Sequence, residues 1–213
     1  MEQVERITGN EIKMIDSFIT IESEIVNEIK VQKSKFIAQA FPLKSQLEIP
    51  KLLDEVRKKY YDASHHPYAF RVGIRKDNFR YSDDGEPSGT SGKPVLEAID
   101  KHELTDVLCV VTRYFGGILL GAGGLRRAYF EAADECLEKT NKVEKLLTKN
   151  INLEFDYSLM NQVMKYLTDN KIKILENNSE EKVKLICQPR LSVIEKMKSD
   201  LFEKSNGKII IND

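Results

Sequence analysis

The sequence predicts an α+β protein of two units, and three features of its patterning say so. Apolar residues alternate with polar ones over Phe18, Ile19 and Ile21, over Ile25–Val31 and over Phe36–Phe41, the period of antiparallel strands with one face in a core. Amphipathic stretches of helical period are interspersed among the later strands. Beyond a charged segment at 139–149, the order strand, helix, strand, strand, helix, strand fits into about 70 residues, which is the ferredoxin-like split βαβ plan. The expected division is an N-terminal extension over 1–16, a sheet-and-helix domain over 17–140 and a ferredoxin-like domain over 141–213.

Taken in order, residues 1–13 have weak periodicity, and Met14 is a candidate start. Two or three antiparallel strands follow, closed by Pro42 and Ser45. A helix is predicted over Ile49–Tyr61, with Leu52, Leu53, Val56 and Tyr60 on one face and lysines opposite. The segment Asp62–Pro67 reads as a turn, Tyr68–Ile74 as a strand, and Lys93–Asp100 as a helix with Ser91 or Gly92 at its cap and Pro94 in its first turn. The continuous apolar run Asp106–Thr112 predicts a central strand covered on both faces. A helix over Leu125–Leu137 ends the first domain. In the second domain, strands are expected at Ile151–Phe155, Ile172–Glu176, Val183–Cys187 and Lys208–Ile211, with helices at Tyr157–Asp169 and Arg190–Ser205.

With 213 residues, 41% hydrophobic and 31% charged, the chain has the composition of a soluble globular protein. No apolar run reaches bilayer-spanning length, and a cytoplasmic location is expected with no membrane partner. Cys109, Cys136 and Cys187 form no CxxC pair and read as reduced core thiols. Residues 142–213 hold 13 Lys and Arg against 11 Asp and Glu, a balance of +2. The remainder holds 20 against 23, a balance of −3. A nucleic-acid contact would therefore need a local patch.

Two stretches carry the functional signal. Tyr81–Pro94 holds three Gly, two Pro, three carboxylates and four hydroxyls with no apolar residue after Tyr81, so it is read as an ordered polar ledge ending on a helix N-terminus. Its candidate residues are Asp83, Asp84, Gly85, Glu86, Ser88, Thr90 and Ser91. The second stretch, Arg113–Ala128, places Gly116, Gly117, Gly121, Gly123 and Gly124 around the apolar triplet Ile118–Leu120. Neither is a nucleotide motif. A phosphate loop fails at Pro87 and at Pro94, and a dinucleotide fingerprint fails at Arg126, where close packing demands glycine. What remains is a glycine-rich turn feeding a helix that carries Arg126 and Arg127, a ready anion site. His65 and His66 lack a third ligand at metal spacing and read as a solvated turn. His102 reads as a lone helix-end histidine, solvated or favourable to the helix dipole. Asp83, Asp84 and Glu86 suit either a hard cation or self-bonded turns. Arg113, placed directly after the central strand, is a functional candidate or a partner for Asp83 and Asp84. No metal or cofactor is expected.

The segments Ser82–Pro94 and Val111–Leu125 resemble the signature of the YigZ/IMPACT family, of which the chain is identified as a bacterial two-domain member. Lys33–Ile37, Ala63–His66 and Ala69–Arg71 resemble its shorter elements, so the likeness spans about residues 18–138. Arg126-Arg127 and the residues before Ser17 are not features of the family pattern. The resemblance implies an N-terminal domain of the ribosomal protein S5 domain 2 type and a C-terminal domain similar to the last domain of elongation factor G. It also implies a role in translational control, as in the eukaryotic relative, or nucleic-acid or ribosome binding, as proposed for bacterial members. On this reading Lys33, Lys35, Arg71, Lys93, Arg113, Arg126 and Arg127 contact phosphate of an RNA or a ribosome-associated factor. Two alternatives stand beside it: a small-molecule phosphotransferase using the glycine turn, and a protein-interaction module using Ile118–Leu120.

Overall fold

A computed structural model describes residues 16–74 and 78–213, together with the backbone of residues 5–8 and 11–14. The chain forms two compact units. One spans Phe18–Lys145, and the other spans Leu146–Asp213 with the chain up to Ser17. Both are mixed α and β, with antiparallel sheets and five α-helices among the described residues.

In chain order, the hairpin β1 (Glu5–Thr8) and β2 (Glu11–Met14) is followed by β3 (Ser17–Ile21), β4 (Ile25–Val31) and β5 (Ser34–Pro42). Helix α1 (Ile49–Lys59) carries Pro50 in its first turn and three basic residues in its last, both favourable to the helix ends. Strands β6 (Tyr68–Arg71) and β7 (Phe79–Ser82), helix α2 (Gly92–Lys101), strand β8 (Val107–Tyr114) and helix α3 (Gly121–Glu138) follow. Strand β9 (Lys142–Leu146) pairs with β3.

The sheet of the first unit runs β4-β5-β8-β6-β7, antiparallel at every joint. The expected central strand is central, and Val107 through Arg113 are all buried. Its two faces separate by parity. Val107, Cys109 and Val111 join a core with α2 and α3, while Leu108 and Val110 join a second core with α1. A strand clothed on both faces cannot show alternation, which is why it reads as a continuous apolar run.

Two strand boundaries beside the polar stretch and Arg113 differ from expectation. Strand β7 runs into the start of the polar stretch: Phe79–Ser82 pair with Tyr68–Arg71 at the sheet edge, and all four stay partly or wholly exposed. Strand β8 runs through Tyr114, so Arg113 lies inside the sheet rather than after it.

The second unit adds β10 (Ile151–Phe155), α4 (Met160–Asp169), β11 (Lys173–Ser179), β12 (Val183–Gln188), α5 (Ile194–Lys204) and β13 (Ile210–Asn212). Its strands lie in the order β11-β12-β10-β13 and are antiparallel throughout. Alternate residues Ile151, Leu153 and Phe155 bury against Val163, Leu167, Met197 and Leu201 of the two helices.

Candidate ligand-binding site

Parity along β8 places the central functional side chain. Arg113 continues the set Val107, Cys109, Val111 and so shares the face of the sheet that carries α3. It is 7% exposed. Its Nη1 donates to Glu86 Oε1 at 2.8 Å, and the same oxygen accepts from the Tyr129 hydroxyl of α3 at 2.6 Å. Tyr129 is wholly buried and packs edge-to-face on Phe36, the residue that faces Arg113 across the β5–β8 pairing. The guanidinium lies over the Phe36 ring at 5.6 Å and the Phe115 ring at 5.3 Å. Burial together with the bond to Glu86 pushes the Tyr129 phenol far up, so it is a fixed donor. The partner of Arg113 is thus Glu86, not Asp83 or Asp84. Arg113 Nε is buried and has no hydrogen-bond partner among the described residues.

Asp83 organises the polar loop. Its carboxylate accepts the backbone N–H of Gly89 at 2.8 Å, of Ser91 at 3.1 Å and of Gly92 at 2.8 Å, and the Ser91 hydroxyl at 2.9 Å. Burial alone would raise its pKa. The four hydrogen bonds together outweigh burial and hold it below the usual carboxylate range. Gly92 opens α2, so this carboxylate satisfies that helix end, and Ser91, which stands at the cap position, spends its hydroxyl on Asp83 instead of capping. The loop is less of a surface ledge than expected: Glu86, Thr90 and Ser91 are buried, while Ser88 and Gly85 are exposed.

Asp84 takes a left-handed backbone, φ 44°, and its Oδ2 accepts the His66 N–H at 2.7 Å. Its carbonyl lies 2.8 Å from His65 Nδ1. A carbonyl only accepts, so the proton of this bond is on His65 Nδ1. The expected solvated histidine turn is therefore corrected: His66 is buried against the Thr112 hydroxyl at 3.0 Å, and desolvation lowers its pKa despite the nearby Asp84. His102 does stand at the C-terminal end of α2, but it is buried rather than solvated, between Asp134 at 2.9 Å and the Lys142 amine at 2.9 Å.

The two stretches meet at one pocket of about 420 Å³. Ser64, His65 and Glu86 line it beside Arg113, and Phe115, Leu119, Leu120 and Leu125 form apolar walls with Pro87. Gly121 and Ala122, the first two residues of α3, also line it. The helix starts four residues earlier than expected, so Gly121, Gly123 and Gly124 are helical, and its N-terminus has no side-chain cap. The space over Gly117, Gly121 and Gly123 is open. Gly116 differs: a Cβ there would sit 2.0 Å from the backbone of Lys33, so its role is close packing of two chain segments. Ile118 and Leu119 are exposed, whereas Leu120 packs on the core.

The remaining candidate cations separate into two groups. Lys33, Lys93 and Arg127 are exposed. Lys35 sits over the Tyr114 ring at 4.9 Å and 3.7 Å from Glu28, Arg71 pairs with Asp100, and Arg126 forks onto both oxygens of Glu97 at 2.6 and 2.7 Å. The Arg126 Nη1 also reaches the Gly89 carbonyl at 3.4 Å, tying the polar loop to α3. Sequence reasoning did not single out Tyr129, Phe36 and Phe115, because an aromatic side chain names no partner until its neighbours in space are known. Among the described residues no cluster of three or more His, Cys, Asp or Glu could hold a metal.

A family model, the Impact N-terminal domain, matches residues 32–137, which takes in every residue of this pocket. A Bacillus subtilis protein, IMPACT family member YvyE, is 32% identical over 200 residues, covering 94% of this chain and 92% of that protein. The chain belongs to the IMPACT family. A Haemophilus influenzae IMPACT family member is 34% identical over 199 residues, covering 91% of this chain and 95% of its own length. These relatives extend beyond the Impact N-terminal domain into the second unit, so the likeness is to a two-unit IMPACT protein. A solved structure titled "Crystal structure of an hypothetical protein" superposes with a TM-score of 0.65 at 26% identity, covering 93% of this chain and 97% of that one. Among the described residues, no helix is long and apolar enough to cross a membrane.

Proposed function

We propose that this chain is a cytoplasmic binding protein of translational control, which holds the phosphate backbone of an RNA, free or ribosome-bound, on the glycine-rich face of its first unit. The observation that carries the reading is the N-terminus of α3: an 18-residue helix opening on Gly121-Ala122-Gly123-Gly124, uncapped by any side chain, with open space over Gly121 and Gly123. Such amides bind oxyanions, and missing side chains let a phosphate approach. Lys33, Lys93 and Arg127 are exposed and supply charge at the surface. Arg71, Arg113 and Arg126 act in this reading as scaffold, since carboxylates occupy them. The antiparallel order β11-β12-β10-β13 supports the ferredoxin-like reading of the second unit. The sheet with α2 and α3 on one face supports the S5 domain 2 reading of the first.

The test is binding of the full chain to structured and single-stranded RNA across a salt series. Affinity that falls with a slope corresponding to about three phosphates, and that falls further in Gly123→Glu, is expected. Affinity indifferent to salt removes the phosphate reading.

A further inference from the structure

The two larger sheets end on four edge strands, and three of these are poorly suited to further pairing. Strands β7 and β13 are only four and three residues long, and β11 is interrupted by a register shift between Ile174 and Glu176. Short or bulged strands blunt an exposed edge. Strand β4 is neither short nor bulged. Its seven residues, Ile25–Val31, pair with β5 without a register shift and include no Gly or Pro. The direction of its backbone groups follows from the sheet. Val111 and Arg113 donate their N–H groups to the carbonyls of Pro67 and His65, away from β5. The alternation of an antiparallel ladder then turns Val110 and Thr112 toward Gln39 and Ile37 of β5, and turns Phe36 and Ala38 toward Ile29 and Asn27 of β4. The residues of β4 whose N–H and C=O point away from the sheet are therefore Val26, Glu28 and Lys30, and all three have exposed side chains. Among the described residues no backbone group bonds to them from that side.

We infer that β4 pairs with β4 of a second copy of this chain, antiparallel about a two-fold axis at Ile29, joining the sheets of two first units into one. In a two-fold contact, if residue i faces residue j of the other copy, then j faces i. With the axis at Ile29, Glu28 faces Lys30 of the second copy, and Lys30 faces Glu28. Both residues turn their backbone groups outward, so each such pair exchanges two backbone hydrogen bonds. Both side chains lie on one face of the strand, so the same register sets opposite charges against each other at both pairs. An axis at Glu28 would instead set Glu28 against Glu28, and like charges directly opposite repel. Within its own chain Glu28 meets Lys35 at 3.7 Å with its side chain 43% exposed, which leaves it able to turn to a second cation. On the other face, Ile29 and Val31 pack on the core but stay only half-buried, and the added strand covers them. This inference goes beyond RNA binding and does not depend on it.

The test is sedimentation velocity of the full chain over a concentration series. The parent is expected to pass from the mass of one chain to that of two as concentration rises. Glu28→Lys and Lys30→Glu each put like charges face to face at both pairs, and each is expected to weaken self-association roughly tenfold or more. Both substitutions change exposed side chains, and urea unfolding midpoints close to the parent's are expected to show that the fold is kept. An equimolar mixture of the two variants sets opposite charges together again at both pairs, and it is expected to associate about as tightly as the parent. A parent that stays monomeric at its highest soluble concentration overturns the inference and leaves the edge to a strand of another protein. Self-association that survives either charge reversal overturns it equally, as does a mixture that associates no better than the variants alone.

Discussion

Arg113 on β8 and Glu86 in the polar loop meet at 2.8 Å with side-chain exposures of only 8% and 4%, and this pair joins the two stretches that the sequence separates by 27 positions. The Tyr129 hydroxyl holds the same Glu86 oxygen. The contact fixes the loop against the sheet and leaves the pocket open beside it.

Removing one partner of such a pair strands the other charge in the interior. Glu86→Ala is expected to destabilise the fold by about 3–5 kcal/mol, and Glu86→Gln, which keeps an acceptor for Tyr129, by less. The midpoints of urea unfolding compare them. An Ala variant as stable as the parent would show that the pair contributes nothing.

Asp83 predicts a dependence on acidity. Its folded pKa lies below its unfolded value, so its contribution is fully present above the unfolded pKa and is lost as pH falls through the folded one. Asp83→Asn, which converts acceptors into a mismatched amide, is expected to cost about 1–3 kcal/mol at neutral pH. The gap between variant and parent is expected to shrink below about pH 4. Thermal unfolding across pH measures that gap, and a gap independent of pH would assign the loss to shape alone.

One substitution made at two glycines is expected to have opposite signs. Gly116→Ala puts a Cβ 2.0 Å from the Lys33 backbone and is expected to cost about 3 kcal/mol or more. Gly123→Ala meets open space within α3 and is expected to stabilise by about 0.5–1 kcal/mol. Calorimetry of the two variants decides it, and a stabilised Gly116→Ala would contradict the close approach.

Local chemistry made much of this protein legible from its residues alone. The uninterrupted run at Val107–Val111 and the strand–helix rhythm after Asn150 depend on which side chains can face a core, and that is written in their spacing, whereas Phe36–Phe41, expected to bury one face, is buried at every position because β5 is covered on both sides. Pro50 and Pro94 mark helix starts because a ring without an N–H fits only there. The edge strand Phe79–Ser82 escaped notice because its alternation of Phe, Arg, Tyr and Ser is only four residues long and runs straight into the glycine- and proline-rich loop; pairing to β6 settles it. Only the folded chain could decide which charges remain free. Arg71 and Arg126 look like phosphate ligands in sequence until Asp100 and Glu97, each 29 residues away, are brought onto them. Ion pairing acts through space between residues distant in the chain, whereas periodicity acts between neighbours. The spacing of side chains therefore announced the framework, and tertiary contact alone chose the partner of Arg113 and the pocket beside it.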